Sequence, residues 1–331
     1  MPTAFLTGGT GFVGGHAARA LVDHGWKVRL LVRNTARASG GLLEGLPVET
    51  VAGDLSEGGI PESALAGVDA IIHVAGLTKA RTFEDYREVN VRGTERLLAA
   101  AGRAAPDALF LIVSSLAAAG PAREGRPVSD ADPSRPISWY GISKREGELA
   151  VARNWKGPWI ALRPGVVYGP GDRGLFSYFR MAERGWVPVP VRHARVQVLG
   201  VDQVSLAIAR AAARRDLGGA TRFLCDPEPV RLGELAGLIA RLPRRPARLI
   251  GIPSAAVRML GLLETAVETV SGRSRPFNAD KAKEILAGDW LCDSAPLRRE
   301  LDLPAPVPLE KGLRATWDWY LGAGWLRGKA L

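Results

Sequence analysis

The segment Thr7-Gly8-Gly9-Thr10-Gly11-Phe12-Val13-Gly14 follows a short apolar run and opens a helical pattern. Glycines at this spacing let a backbone turn tightly and approach a pyrophosphate. The helix that follows offers N–H groups without intrahelical partners at its start. A glycine triplet alone is a weak signal, but between a strand and a helix it predicts a dinucleotide-binding turn. Thr7, Gly8, Gly11, Phe12, Val13 and Gly14 are therefore expected to contact a cofactor.

The pattern downstream agrees. Strands are predicted over residues 3–6, 27–32, 48–52, 70–74, 108–113 and 159–162, and helices over 14–24, 91–102 and 138–154. Strands alternating with helices predict an α/β fold, a Rossmann-type doubly wound parallel sheet. Beyond Pro164 the texture changes. Glycine and proline at 165–170 and prolines at 186–190 predict interrupted regular structure, before a helix at 201–214 and a strand at 221–225. The 331 residues thus divide into a nucleotide-binding domain, 1–169 with 199–226 returning to it, and a smaller, mostly helical substrate lobe, 170–198 and 227–331.

The end of the second predicted strand bears on cofactor choice. A carboxylate there would hold the ribose hydroxyls of NAD; this chain has Arg33, with Arg37 nearby. Guanidinium suits a 2′-phosphate, so NADP(H) is favoured and NAD(H) stays open. Asp54, beside Leu55, is placed to reach the adenine amino group, and Ala75 and Gly76 to let the chain pass close to the cofactor. His73 is read as a structural partner.

Tyr140 and Lys144 stand four residues apart, on one helix face. A neighbouring ammonium, joined by the positive charge of an oxidised nicotinamide, is expected to lower a phenol's pKa and ready it for proton transfer. Ser115, with Ser114 as second choice, ends the strand before and can hydrogen-bond a substrate carbonyl.

Taken together these residues resemble an extended short-chain dehydrogenase/reductase of the NAD-dependent epimerase/dehydratase superfamily. Asn90 in Val89-Asn90-Val91-Arg92-Gly93-Thr94, the run Arg163-Pro164-Gly165-Val166-Val167-Tyr168-Gly169-Pro170-Gly171 and Val201-Asp202 match as well. The resemblance implies that Asn90 belongs to the catalytic set, on a helix lining the active site, and that Pro164, Val166 and Val167 pass beside the nicotinamide. It also implies NAD(P)-dependent oxidoreductase chemistry. The segments 293–301 and 310–320 resemble the ends of 3β-hydroxysteroid dehydrogenase-like and dihydroflavonol-reductase-like members, which handle bulky apolar ketones or alcohols. The Arg-x-Gly-Asp stretch usual in nucleotide-sugar enzymes is missing, although a nucleotide-sugar epimerase or dehydratase remains the alternative.

Residues 249–270 carry only Arg258, Glu264 and Glu268 as charges. Two readings are open: ordinary core, or a lipid-accepting pocket or membrane-facing surface. A net charge of +10, spread along the chain, fits a phosphorylated cofactor or an anionic surface, and no nucleic-acid-binding signature accompanies it. These features suggest reduction of a long-chain keto-lipid, such as the 3-keto group of a sphingoid base or ceramide. No uninterrupted apolar stretch is long enough to cross a bilayer, so a cytoplasmic protein is expected, with contact at the inner membrane surface left open and a homodimer compatible. Cys225 and Cys292 are too few and too far apart in sequence for a disulfide framework or a zinc site; buried thiols are expected, and no metal.

Overall fold

The computed structural model describes residues 1–35, 40–272, 275 and 277–328. Its centre is a seven-stranded, wholly parallel sheet. The first six strands are β1 (Thr3–Thr7), β2 (Lys27–Val32), β3 (Val48–Ala52), β4 (Ala70–His73), β5 (Leu109–Val113) and β6 (Trp159–Pro164). Two short strands, β7 (Val166–Tyr168) and β10 (Val198–Gly200), pair in parallel beside it. β11 (Ala220–Leu224) then returns to complete the order β11-β6-β5-β4-β1-β2-β3. The strand order reverses between β1 and β4, and a crevice at such a point is where doubly wound sheets hold their ligands.

Successive residues of β1 point to opposite faces, and both faces are buried. Ala4 and Leu6 join Ala17 and Leu21 of α1 (Phe12–Asp23) and Val204 and Ile208 of α6 (Val201–Ala211). Phe5 joins Leu97 and Ala101 of α3 (Gly93–Ala104) and Val151 of α4 (Trp139–Asn154). A sheet covered on both sides requires strands that are apolar throughout, as the all-buried Leu109–Val113 is.

The helix expected from residue 91 begins earlier. Thr82 and Asp85 form a reciprocal capping box at the start of α2 (Phe83–Arg87), which runs through a π-helical turn, Glu88–Arg92, into α3. The extra residue of the π turn breaks the 3.6-residue apolar period, which therefore reads clearly only beyond it.

Later elements gather around a separate core of Phe179 from α5 (Phe176–Glu183), Leu235 and Ile239 from α7 (Leu232–Ala240), and Trp317 and Tyr320 from α11 (Leu309–Gly322). The prolines near 188 do not abolish regular structure: β8 (Trp186–Val189) pairs in parallel with β13 (Arg248–Gly251), and β9 (Arg195–Val196) pairs antiparallel with β12 (Val230–Arg231). Each pair has only two strands, so a proline need not donate on both sides. The apolar stretch after residue 249 is not core. It forms β13 and α8 (Ser254–Ser271), which is packed against α9 (Ala279–Leu286) on one side and is widely exposed on the other. α10 (Ala295–Glu300) packs back against β11.

Candidate active site

The glycine turn is tight. Gly8 has φ +77°, and a Cβ there would lie 2.6 Å from the Ala75 backbone nitrogen, so only glycine fits on both counts. Gly11 precedes α1 and donates its N–H to the Gly8 carbonyl at 2.9 Å. No side chain caps α1, whose first turn holds Phe12, Val13 and Gly14. The start of this helix is thus open to an anion.

Thr7 anchors the turn from below. The Ala75 N–H donates to Thr7 Oγ1 at 3.3 Å, and Thr7 Oγ1 meets His73 Nδ1 at 2.8 Å. His73 Nε2 meets Thr94 Oγ1 at 2.9 Å, and that hydroxyl donates to the Asn90 carbonyl at 2.9 Å. The bonds run in one direction only if His73 is neutral with its proton on Nε2. Burial, and secondarily the Lys144 charge, push His73 down to about 3, in keeping with that state. It is a buried structural partner.

Arg33 is exposed at the end of β2, and Arg37 lies outside the described residues. Asp54 receives the Ser56 N–H at 2.8 Å and a short bond from the Ser56 hydroxyl. Those bonds, with lesser help from Arg33, hold its carboxyl below the usual range. Leu55 packs on the α3 side of the sheet.

Tyr140, Lys144, Ser115 and Asn90 converge at the ends of β4 and β5. Ser138 caps α4, its Oγ accepting the Gly141 N–H at 3.0 Å, so Tyr140 lies in the first helical turn. A Cβ on Gly141 would come within 2.3 Å of the Ala117 carbonyl oxygen; its absence brings α4 down onto the turn that follows Ser115. Ser115 Oγ accepts the Ala117 N–H at 3.1 Å and lies close enough to the Tyr140 phenol to favour its ionised form. Ser114 instead turns into the interior, beside Glu148.

In the chain without coenzyme, burial dominates the electrostatics of the phenol. Burial pushes the Tyr140 phenol up to about 12, Ser115 pulls it back, and the Glu284 charge adds to the rise. Lys144 does not bring it down. Its Nζ donates to the Val113 carbonyl at 2.6 Å, and burial draws the ammonium itself down to about 8, with Glu148 opposing. Here desolvation sets the state of both groups.

Asn90 is buried within the π turn and works as a clasp. Its Oδ1 accepts the Leu77 N–H at 2.7 Å, and its Nδ2 donates to the Leu77 carbonyl at 3.0 Å and to Ser143 Oγ at 2.9 Å. It thereby joins the segment after Gly76 to α4, and Gly76 lies against both Asn90 and Lys144. Pro164 ends β6 beside β5, level with Ser115 by the register Val113↔Leu162. It is fixed by the neighbouring Arg163, which grips Glu148 of α4 through two bonds, at 2.8 and 2.6 Å. Val166 is exposed and Val167 half-buried in β7.

Several partners of the site lie beyond the residues that the sequence points to. Ser138 Oγ donates to Glu284 Oε1 of α9 at 2.5 Å, and the Trp139 N–H is shared by both Asp280 oxygens at 3.0 Å. The Tyr86 ring lies 6.2 Å from that of Tyr140. Ser138 had a readable signal, a hydroxyl residue just before a helix, whereas Glu284 and Asp280 had none. Cys225 and Cys292 are both buried, and their Sγ atoms are 2.9 Å apart despite the distance between them in the chain.

The model of the NAD dependent epimerase/dehydratase family matches residues 4–218. A ceramide reductase of Caulobacter vibrioides is 34% identical over 322 residues, 97% of this chain and 95% of that one. A 4-hydroxy-2-methyl-3-oxo-4-farnesyl-3,4-dihydroquinoline-1-oxide ketoreductase of Stigmatella aurantiaca is 29% identical over 329 residues, 94% of each chain. Among solved structures, MoeE5 in complex with UDP-glucose and NAD superposes with a TM-score of 0.75 at 22% identity, covering 98% of this chain and 99% of its own.

Proposed function

Because this chain belongs to the NAD dependent epimerase/dehydratase family and is an NAD(P)-dependent oxidoreductase, we propose that it reduces a ketone on a long-chain, ceramide-like lipid, with NADPH as the preferred coenzyme. The observation that carries this reading is the convergence of Ser115, Tyr140 and Lys144, with the phenol kept protonated.

The residues present fit a dinucleotide. The open start of α1 and the Gly8 turn suit the pyrophosphate, Gly76 leaves room beside Lys144, and exposed Arg33 suits a 2′-phosphate. Asp54, Leu55, Ala75, Pro164, Val166 and Val167 complete the proposed cradle. When bound, the reduced nicotinamide supplies a hydride to the carbonyl carbon.

Every other task falls to the chain. Ser115 turns its hydroxyl from the phenol to the substrate oxygen and stabilises charge as it develops there. Tyr140 gives its proton to that same oxygen, so hydride and proton together convert C=O to CH–OH. A phenol raised to about 12 is neutral through the physiological range, as a donor must be. Lys144 orients the ribose and restores the phenol's proton. Asn90 positions α4 and the 75–77 segment without touching substrate.

The lipid substrate is supported by the full-length similarity to the ceramide reductase and by the apolar surface of α8. The test incubates the purified protein with a short-chain 3-ketoceramide and either NADPH or NADH, following coenzyme loss and product mass. Stoichiometric reduction, faster with NADPH, is expected. Interconversion of a UDP-sugar with no net coenzyme loss, and no action on the ketone, would overturn the proposal.

A further inference from the structure

Helix α8 wears its apolar side outward. At about 100° per residue, Leu262, Met259, Val270, Leu263, Val267 and Leu260 fall within one arc of roughly 160° that holds no charged side chain. Met259 is 62% exposed, Leu262 64%, Leu263 57% and Val270 90%. The inward side is already occupied: Val257, Gly261 and Glu268 are buried. A Cβ on Gly261 would lie 2.9 Å from that of Ala282, so α9 fills this side. Exposed apolar residues scattered singly are ordinary, but a continuous helix face is not, and exposed Leu249 and Ile250 precede it in the chain.

Charge indicates what covers this face. From residue 241 to 263 the chain has five arginines, Arg241, Arg244, Arg245, Arg248 and Arg258, and no acidic residue. All five are exposed. Glu264, at the margin of the arc, is paired with Arg275 at 2.5 Å. Exposed apolar and cationic groups on successive segments of one chain match the headgroup boundary of an anionic bilayer. The same arginines would be brought near one another by a two-fold contact between copies, which like charge opposes. Among the described residues no helix is long and apolar enough to cross a membrane, so α8 would rest on the surface.

We infer that α8 lies flat on an anionic lipid bilayer, with its apolar arc among the acyl chains and the 241–258 arginines on the phosphates. The protein thereby meets its substrate within the membrane; this second step, unlike the docking, rests on the lipid-ketone reading above. The docking helix is joined to the chemistry through its inner side. Thr265 of α8 accepts the Ala279 N–H at 2.9 Å, and α9 in turn holds the start of α4 through Asp280 and Glu284, next to Tyr140.

The test is co-sedimentation of the whole protein with vesicles of phosphatidylglycerol and phosphatidylcholine, or of phosphatidylcholine alone, at low and high salt. Binding is expected to need phosphatidylglycerol and to weaken with salt. Leu262→Glu with Leu263→Glu is expected to lower the bound fraction about ten-fold or more, and Arg244→Glu with Arg248→Glu to remove the phosphatidylglycerol preference. Both variants should melt as the wild type does and reduce a water-soluble ketone at the same rate. Wild-type protein left in the supernatant at low salt would overturn the inference even if the variants failed to fold. So would undiminished binding of the leucine variant, or a dimer that both substitutions dissociate. Vesicle binding with no reduction of any lipid ketone would instead refute the functional proposal and leave the docking intact.

Discussion

At the scale of single residues, burial sets the charge states of the site. Lys144 is the informative case. Its folded pKa, about 8, lies below that of a free lysine near ~10.4. The folded chain therefore gives up this proton before the unfolded chain does. Burying the ammonium costs stability below pH 8, and that cost is relieved as pH rises. For function the sign is opposite, because the proton that Lys144 returns to Tyr140 is present below pH 8 and lost above it. We predict that kcat/KM for NADPH, which reports the free enzyme, falls on the alkaline side with an apparent pKa near 8. Lys144→Met should remove that limb together with most of the rate. A wild-type profile flat through the ordinary lysine range would contradict the assignment.

The parts of the site readable from sequence were those with local spacing. The glycine turn and the Tyr140/Lys144 pair each declare themselves within a few residues. The direction of the Tyr140 shift was not readable, because desolvation depends on what the fold stacks over the ring. The grip of Glu284 on Ser138 was hidden for a related reason: it joins positions 146 residues apart.

At the scale of elements, the start of α4 is the joint on which the site turns. Ser138 both caps the helix and donates to Glu284, so it ties α4 to α9. Ser138→Ala should cost about 1–2 kcal/mol of stability, read as a lower urea midpoint with an unchanged m-value. An unchanged midpoint would mean that the cap contributes nothing. Helices and strands with one steady period were legible: β2, β3 and the α4 region fall within a residue or so of their expected bounds. The π turn hid the first half of its helix, and β7 and β8 were too short and too rich in glycine and proline to declare a period. The outward face of α8 was undecidable, since apolar spacing alone does not say which side a helix buries.

At the scale of the molecule, the chain Thr7–His73–Thr94–Asn90 links β1, β4, α3 and the π turn across the sheet's working edge. His73 is held near 3 by burial, against about 6.5 when unfolded. Between these values the unfolded chain binds the extra proton, so this contribution is intact above pH 6.5 and is lost progressively as pH falls toward 3. Urea midpoints should therefore decline from pH 7 toward pH 5, and less steeply in a His73→Gln variant; equal slopes would refute the assignment. The central claim is that a neutral phenol delivers the proton that completes ketone reduction. Its most direct test is the rate of NADPH-dependent reduction by Tyr140→Phe beside the wild type, with NADPH binding measured in both. The account predicts unchanged coenzyme binding and a rate lowered about 10²–10⁴-fold; a rate close to that of the wild type would contradict it.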